Sequence, residues 1–455
     1  MEKIVAVCAV LSQLTSNSPV KVDNVGNLAI PNDVEAIEAN QIENSVASID
    51  FDSRCRLTRI GNMTFANCSL LEFVRIPSSV DILDNGCFKN CANLRNVILF
   101  GDSQLTKIGN EAFMNCRLLE FIYIPSSVDS IGDSCFMNCE NLKKLDFLPN
   151  SKVTILCDST FKGCASLEYV SIPDSVRRIR NGCFQDCAKL KSVEFTSGSN
   201  VLVFRDNSFR GCIALESISI PDSVNILDDG CFESCISLGS VTFGAGSQLA
   251  KIGNEAFMNC YFLSDILIPS TVKNLGRSCF MNCLNLRSIE FIPGSQVKAF
   301  YEETFRSCIS LESISVPNSV KEISNGCFRD CADLKKVCLS KGLSTLSNIE
   351  SEAFRNCKSL KTMFLPDSVR DLGDRAFLSC ISLLTIFMSK NIQVINNECF
   401  YNCIKLVNVH FDQAARVVAR HSRAFRNCRA LTLKPSPILD AEIFEGDCFD
   451  DGLDF

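Results

Sequence analysis

Apolar residues recur along this chain in an order that repeats itself. A phenylalanine returns sixteen times between Phe65 and Phe425, at intervals that alternate between 23 and 25 residues as far as Phe328. Each of these anchor phenylalanines is followed by Cys three residues later and by Leu three residues after that. Apolar residues at spacing two come next, and an apolar pair precedes the following anchor by eight and five residues. This periodicity predicts a protein built from stacked repeats.

Each part of the repeat predicts a local structure. Phe, Cys and Leu at spacing three fit one face of a short helix or helical turn. The residue before the Cys is Asn, Asp, Ser or Gly, and these types tolerate the left-handed conformation that ends such a turn. Apolar residues at spacing two, such as Val74 and Ile76, predict a short strand with one buried face. Pro77 and its six equivalents follow that strand and stop it, because proline has no N–H for a ladder.

A single repeat cannot bury its apolar face, whereas stacked repeats bury a continuous core. The sequence therefore predicts an α/β fold, a right-handed solenoid with a concave parallel β-sheet and short helical turns on the convex side. We expect an N-terminal segment at residues 1–19, degenerate capping repeats at 20–64, the solenoid at 65–434, and a C-terminal cap or acidic tail at 435–455.

Both ends of the chain leave alternatives open. The apolar run at residues 4–11 fits an N-terminal strand or cap, or else a short signal segment with a weak basic end. Residues 440–455 hold seven Asp or Glu and no Lys or Arg, which fits a cap or frayed tail, or an acidic docking peptide. No run approaches about 18 apolar residues, so we expect no transmembrane segment.

The full pattern resembles the BspA-like leucine-rich repeat family over roughly residues 55–431. One repeat carries it in Leu119, Ile122, Ile124, Pro125, Val128, Ile131, Phe136 and Cys139. The resemblance implies a right-handed leucine-rich-repeat solenoid. It also implies a surface antigen or adhesin that binds host proteins or other cells, and it brings no catalytic residues to carry over.

Composition and charge narrow the functional classes. The chain is 46% hydrophobic and 21% charged, as in an ordinary folded protein. Its net charge of −7 gives no basic field for nucleic acid or an anionic membrane, so we expect no nucleic-acid partner. His410 and His421 are the only histidines, and neither has a Ser or Cys neighbour that stands out from the repeat. We therefore expect no enzyme, no catalytic residue, no metal ligand and no cofactor.

The 28 cysteines follow the repeat. Sixteen lie three residues after the anchors, and seven more directly precede an anchor, as Cys87 does. Disulfides and metal binding are alternatives, but Cys-x-x-x-Cys is not a zinc-ribbon spacing. We expect small buried side chains that fill a tight slot. A largely reduced array fits a cytosolic or anoxic setting better than an oxidising one.

A binding surface is expected on the open face of the strands, where side chains between the buried positions point outward. Two aromatic clusters appear there, and exposed aromatic residues are candidate hot spots for a protein partner. The alternative is that such rings only pack on one another across strands. The candidate protein-binding residues are Phe73, Arg75, Phe121, Tyr123, Tyr169, Phe364, Phe387 and His410.

The sequence thus predicts non-enzymatic protein recognition by a partner-binding solenoid. A cell-surface or secreted adhesin-like module is the first hypothesis, motivated by the resemblance. An intracellular scaffold or adaptor in the cytoplasm is the second hypothesis. It is motivated by the lack of an expected membrane anchor, by the weak signal segment and by the many thiols. A structural spacer without a partner is a third possibility. The partner's identity is not readable from the sequence.

Overall fold

A computed structural model describes residues 21–22, 26–37, 46–51, 54–99, 102–339, 344–411, 418–419 and 423–431. The chain divides into two compact units, Met1–Val224 and Asn225–Phe455. In both units the repeats form coils, each with one long strand of three or four residues and one short strand of two. The segments expected at 1–19 and 435–455, together with Cys8, His421 and Cys448, lie outside the described residues.

The first unit pairs its long strands in parallel, each residue lying opposite the same repeat position of the next coil, as in Phe121 and Lys144. Strand Lys21–Val22 is antiparallel to the first long strand. The long strands are Asn27–Ile30, Ser48–Phe51, Phe73–Ile76, Asn96–Leu99, Phe121–Ile124, Lys144–Phe147, Tyr169–Ile172, Ser192–Phe195 and Ser217–Ile220. The short strands, also parallel, are Ala36–Ile37, Arg59–Ile60, Ile82–Leu83, Lys107–Ile108, Ser130–Ile131, Ile155–Leu156, Arg178–Ile179 and Val203–Phe204.

The second unit repeats this arrangement with its own parallel strands. Its long strands are Ser240–Phe243, Asp265–Ile268, Ser288–Phe291, Ser313–Ser315, Lys336–Cys338, Thr362–Phe364, Thr385–Phe387 and Asn408–His410. Its short strands are Ile226–Leu227, Lys251–Ile252, Asn274–Leu275, Ala299–Phe300, Glu322–Ile323, Asn348–Ile349, Asp371–Leu372, Val394–Ile395 and Val418–Ala419. The last three long strands pair with one another as a separate small sheet.

Stacked phenylalanine rings form the core of each unit. All sixteen anchor rings are buried, and neighbouring rings lie nearly parallel to one another. Ring centroids are 5.3–5.5 Å apart from Phe65 to Phe209. They are 5.1–5.7 Å apart from Phe232 to Phe425. The predicted burial of the anchor phenylalanines is confirmed.

The predicted α/β class and its short helical turns are wrong: the described residues contain strands and turns but no helix. The reason is a pair of left-handed residues around every anchor from Phe65 to Phe400, as at Glu111 (φ 56°) and Asn115 (φ 61°) beside Phe113. A right-handed helix cannot pass through two such residues four positions apart. The position before the Cys was expected to be left-handed, and it is in all sixteen coils.

Hydrogen bonds between coils replace the helix. The backbone N–H groups of Glu111, Phe113 and Asn115 donate to carbonyls of the next coil at 2.8–2.9 Å. The N–H groups between them close turns within their own coil, as from Cys116 to the carbonyl of Phe113 at 3.2 Å. The Asn115 amide donates to Oδ1 of Asn90 at 2.7 Å, which adds a side-chain ladder. Around the anchor, every second backbone N–H group therefore donates to a carbonyl of the neighbouring coil.

The cysteine of each repeat has a definite partner. Its thiol donates to the carbonyl oxygen of the anchor phenylalanine in the preceding coil. The Sγ of Cys139 lies 3.2 Å from the carbonyl oxygen of Phe113, and the Sγ of Cys116 lies 3.2 Å from that of Phe88. All twenty-six described cysteines are thiols, and the twenty-three in the two repeat positions are buried. Burial raises the pKa of Cys116 and of Cys308 to about 12. The expectation of small buried side chains therefore holds, with the addition that the thiol is also a hydrogen-bond donor.

We expect Asn115→Ala to destabilise the first unit more than Asn115→Gly, by about 1 kcal/mol. Both changes remove the amide ladder, but only alanine pays the cost of a Cβ in the left-handed conformation. Glycine occupies the equivalent position at Gly163 (φ 72°), so the fold accepts it there. Urea unfolding followed by circular dichroism measures the difference. Equal midpoints for the two variants would contradict a left-handed requirement.

We expect stability to fall as the pH rises from 9 towards 12. A thiol in the unfolded chain has a pKa near 9.0, whereas that of folded Cys116 is about 12, so the unfolded state alone loses its proton in this window. Urea midpoints at neutral pH and at about pH 10.5 measure the decline. Lys and Tyr also titrate in this window, so the double variant Cys116→Ala/Cys308→Ala serves as the control. Its free energy of unfolding should fall less than that of the unmodified protein, by about 2 kcal/mol per removed thiol. Identical slopes would refute the thiol contribution.

Candidate binding face of the long strands

A four-residue long strand alternates inward and outward side chains, two of each. In Phe73–Ile76 and Phe121–Ile124 the second and fourth residues are buried and the first and third are exposed. This alternation follows from the pleat of a β-strand. The first and third positions together define the outward face. All eight residues expected to bind a partner occupy it, and whether they bind remains a prediction.

The first aromatic set is spread over alternate strands of the first unit. Phe73, Phe121 and Tyr169 all occupy the first position, and Asn96 and Lys144 are paired between them. Rings two strands apart are separated by about 10 Å. The sequence suggested a cluster, and the structure instead has aromatic rings interleaved with polar side chains.

Charged groups contact Tyr123 and Tyr169 on this face. The Lys144 amine lies 5.4 Å from the centre of the Tyr123 ring and 2.8 Å from a carboxylate oxygen of Asp146. The hydrogen bond to Asp146 raises the pKa of Lys144. The hydroxyl of Tyr169 donates to Glu194, and this bond raises the pKa of the tyrosine. Each of the two tyrosines thus has a charged neighbour on the outward face.

Arg75 shares its strand with Phe73, at the third position and exposed, opposite Ile98 of the next coil. A guanidinium beside an exposed ring offers both charge and a flat contact surface. Strand Phe73–Ile76 therefore presents one cation and one exposed aromatic ring on the outward face.

The second aromatic set is a true stack in the second unit. Phe364, Phe387 and His410 occupy the third position of three adjacent strands and lie directly opposite one another. Ring centroids are 4.4 Å apart for the first pair and 4.5 Å for the second, with planes within 10°. The structure therefore brings together three residues that the sequence placed next to one another.

Two surface features escaped sequence reasoning. A cleft of about 670 Å³ lies beside Tyr169, lined by Glu194 and Asp222 together with serine and threonine hydroxyls. The longer loop after Phe195 borders it, and that two-residue insertion was its only sequence signal. Phe262 is the other feature: it is 56% exposed and lies outside the long strands, in a row where most coils have a small or polar residue.

The described residues provide no evident reaction centre. No group of three or more His, Cys, Asp or Glu is placed to hold a metal ion in the part of the chain that the structure describes. Most thiols there are buried and protonated, so they are poor ligands and nucleophiles. Across these same ranges no helix is long and apolar enough to cross a membrane.

Comparison with solved structures shows what this chain is similar to. A leucine-rich repeat protein from Bacteroides ovatus is 25% identical, with 89% of this chain and 99% of that chain covered and a TM-score of 0.64. A leucine-rich cell surface protein from Faecalibacterium prausnitzii is 21% identical over 88% and 96% of the chains, with a TM-score of 0.39. The pneumococcal vaccine antigen PcpA is 17% identical over 89% and 90%, also with a TM-score of 0.39. No curated protein matches the chain.

A family model covers almost the whole length. The model of the BspA-type leucine-rich repeat region matches residues 16–143, 106–239, 226–347 and 343–449. These matches agree with the coils described above and with the resemblance in the sequence. The chain therefore belongs to the BspA-type leucine-rich repeat proteins.

Proposed function

We propose that this protein is a non-enzymatic recognition module that captures a protein partner on the outward face. The observation that carries the proposal is the exposure of in-register aromatic rings on that face. The exposed rings are Phe73, Phe121, Tyr123 and Tyr169 in the first unit and Phe364 and His410 in the second, where Phe387 lies half-buried between the last two. Membership of the repeat family supports it, since stacked repeats create extended binding surfaces.

The geometry favours binding because the contact groups are already ordered. Each ring of the first unit rises from a strand that is hydrogen-bonded to a strand on either side, so little backbone entropy is lost on association. Tyr123 is 43% exposed although its ring lies near Lys144, so it can bury more area against a partner. Aromatic residues and arginine dominate the energetics of protein interfaces, and Arg75 adds the guanidinium.

A cell-surface or secreted location with an adhesin-like role is the first form of this proposal. It rests on membership of the repeat family, because proteins of that family resemble surface antigens that bind host proteins or other cells. An intracellular scaffold is the second form, favoured by one observation: the described cysteines are thiols. Proteins that mature in oxidising compartments usually convert such cysteines into disulfides.

Substitution of the first aromatic set should weaken partner capture without unfolding the protein. The partner is first isolated with the immobilised chain and identified by mass spectrometry. We expect Phe121→Ala/Tyr123→Ala to raise its Kd by about thirtyfold, the loss of one hot spot. Phe262→Ala removes a ring that is more exposed than either but lies outside the outward face, and it should change Kd less than twofold. Unchanged affinity in the double variant would remove this set from the interface.

Protease treatment of intact cells separates the two locations. A surface protein should be cleaved at its exposed loops while a cytoplasmic marker stays intact. The adhesin-like form predicts loss of the full-length band on immunoblots within the time that a known surface protein is lost. Full protection, reversed by lysing the cells before treatment, would overturn that form and leave the scaffold.

A further inference from the structure

The cleft beside Tyr169 is acidic, and its lining contains no charge of the opposite sign. Glu194 and Asp222 border it, whereas no Lys or Arg does. Neither carboxylate forms an ion pair with a described residue. Lys191 lies three residues before Glu194 in the chain, but it pairs with Glu168 at 3.3 Å instead. A cleft with this charge repels anionic ligands and attracts cations.

The ring of Tyr169 lines the cleft and contacts one of these acids. Its hydroxyl donates to Glu194, which lies diagonally across the two paired strands, because Tyr169 is opposite Ser192 and Ser171 is opposite Glu194. A carboxylate has about four sites that accept hydrogen bonds, so Glu194 can also accept one from a ligand. The cleft therefore offers an aromatic ring and a carboxylate side by side, and both kinds of group bind an ammonium ion.

The molecule contains a filled counterpart of this arrangement 48 residues earlier in the chain. Lys144 and Asp146 hold the first and third positions of their strand, as Ser192 and Glu194 do in theirs. The Lys144 amine lies 2.8 Å from a carboxylate oxygen of Asp146 and 5.4 Å from the centre of the Tyr123 ring, which belongs to the preceding coil. The fold thus already accommodates a lysine amine beside both a carboxylate and a tyrosine ring.

The cleft repeats the acid and the tyrosine of this counterpart but not its lysine. The first strand position holds Ser192, which carries no charge and is much shorter than a lysine. The tyrosine again comes from the preceding coil, although Tyr169 is opposite Ser192, whereas Tyr123 is opposite the acid Asp146. With a volume of about 670 Å³, the cleft has room for a long side chain that enters from another molecule.

Other classes of ligand match the lining less well. Serine and threonine hydroxyls and the two carboxylates make up most of it, so an apolar ligand would desolvate polar groups without replacing their hydrogen bonds. A neutral polar ligand can bond to the hydroxyls, but it leaves both carboxylates without a counter-charge. A cation supplies that charge and also gains from the aromatic ring.

We propose that the cleft beside Tyr169 receives a lysine side chain of the protein partner. The ammonium group takes the role that Lys144 has in the earlier coil: it contacts Glu194 and lies against the Tyr169 ring, while Asp222 adds to the negative field. The proposal rests on the proposed function in one respect, which is that the lysine belongs to a protein. It adds a selection rule, because the partner must present a lysine that can enter the cleft.

A short peptide with one lysine tests the cleft without the partner. The probe is glycine–lysine–glycine with blocked ends, titrated against protein whose five tyrosine rings carry ¹³C for NMR. Loss of one signal in Tyr169→Phe identifies that ring. We expect the Tyr169 signal to shift, and to shift at least about fivefold less with the same peptide acetylated on its lysine amine. Equal shifts from the two peptides, or none from either, would overturn the proposal.

Two variants of the cleft locate the binding at the acid. Glu194→Gln keeps an oxygen that accepts from the Tyr169 hydroxyl but removes the charge, so it should weaken binding of the lysine peptide at least about fivefold. Ser192→Lys places an amine in the cleft from within, as Lys144 does in the earlier coil, and should abolish the shift. Full peptide binding by both variants would contradict the assigned site.

The second unit offers a matched control. Ser288 and Glu290 hold the same two strand positions as the cleft residues, but the preceding strand places Asp265 and Leu267 opposite them and has no tyrosine. Glu290→Gln and Ser288→Lys should therefore leave peptide binding unchanged. Thermal unfolding of each variant confirms that its fold is intact. Equal weakening by Glu290→Gln and by the cleft variants would indicate a general charge effect and overturn the proposal.

The partner isolated above shows whether the lysine comes from a protein. Ser192→Lys should raise the partner's Kd about tenfold. Unchanged partner affinity in this variant, with normal binding of the peptide to the original protein, would overturn the partner as the source. Failure of the peptide, with capture still lost in Phe121→Ala/Tyr123→Ala, would overturn this inference alone. The reverse pair of results would remove the first aromatic set from the interface and support the cleft.

Discussion

Bonding between coils around the anchor phenylalanine is the constraint on which the rest depends. Two left-handed residues flank the ring, and they turn every second N–H towards the next coil. The coils are thereby held close enough for rings to stack at 5.1–5.7 Å. The carbonyl of the phenylalanine then faces a narrow slot in the next coil. Cysteine fits that slot because it is small, apolar and still able to donate a hydrogen bond.

This division of labour leaves the outward positions free to vary. Because the core, the turns and the strand ladders use the inward side chains and the backbone, a change at the third strand position costs the fold little. Successive coils then place equivalent side chains about 5 Å apart, so each outward position becomes a stripe along the stack. Rings make the stack of Phe364, Phe387 and His410, and charges of alternating sign make rows of ion pairs, as between Lys143 and Glu120. In such a molecule we expect a partner to contact rows of side chains along the stack more than a single pocket.

The period, the strands and the buried rings were predictable because they depend on which residues repeat. The left-handed position before the cysteine was also visible, since Asn, Asp, Ser and Gly are the residues that adopt it readily. The missing helix was not visible. Its second left-handed position has no uniform residue type: Gly holds it in some coils, but five coils have Glu, as at Glu111, a residue type that favours helices in most contexts. Outward side chains followed from strand parity, but the cleft beside Tyr169 depends on how a longer loop lies over the next coil.

The thiols restrict the environment in which the chain can fold more than the environment in which the folded protein can act. Disulfide exchange needs an accessible thiolate, and the repeat cysteines are buried, with pKa values raised by desolvation, as in Cys116. Once the coils have stacked, an oxidising environment has little access to them. Before stacking, the same thiols are exposed and near their ordinary pKa, so a wrong disulfide would remove the donors that the phenylalanine carbonyls require. A surface location is therefore compatible with this core, provided that stacking is complete before the chain meets an oxidant.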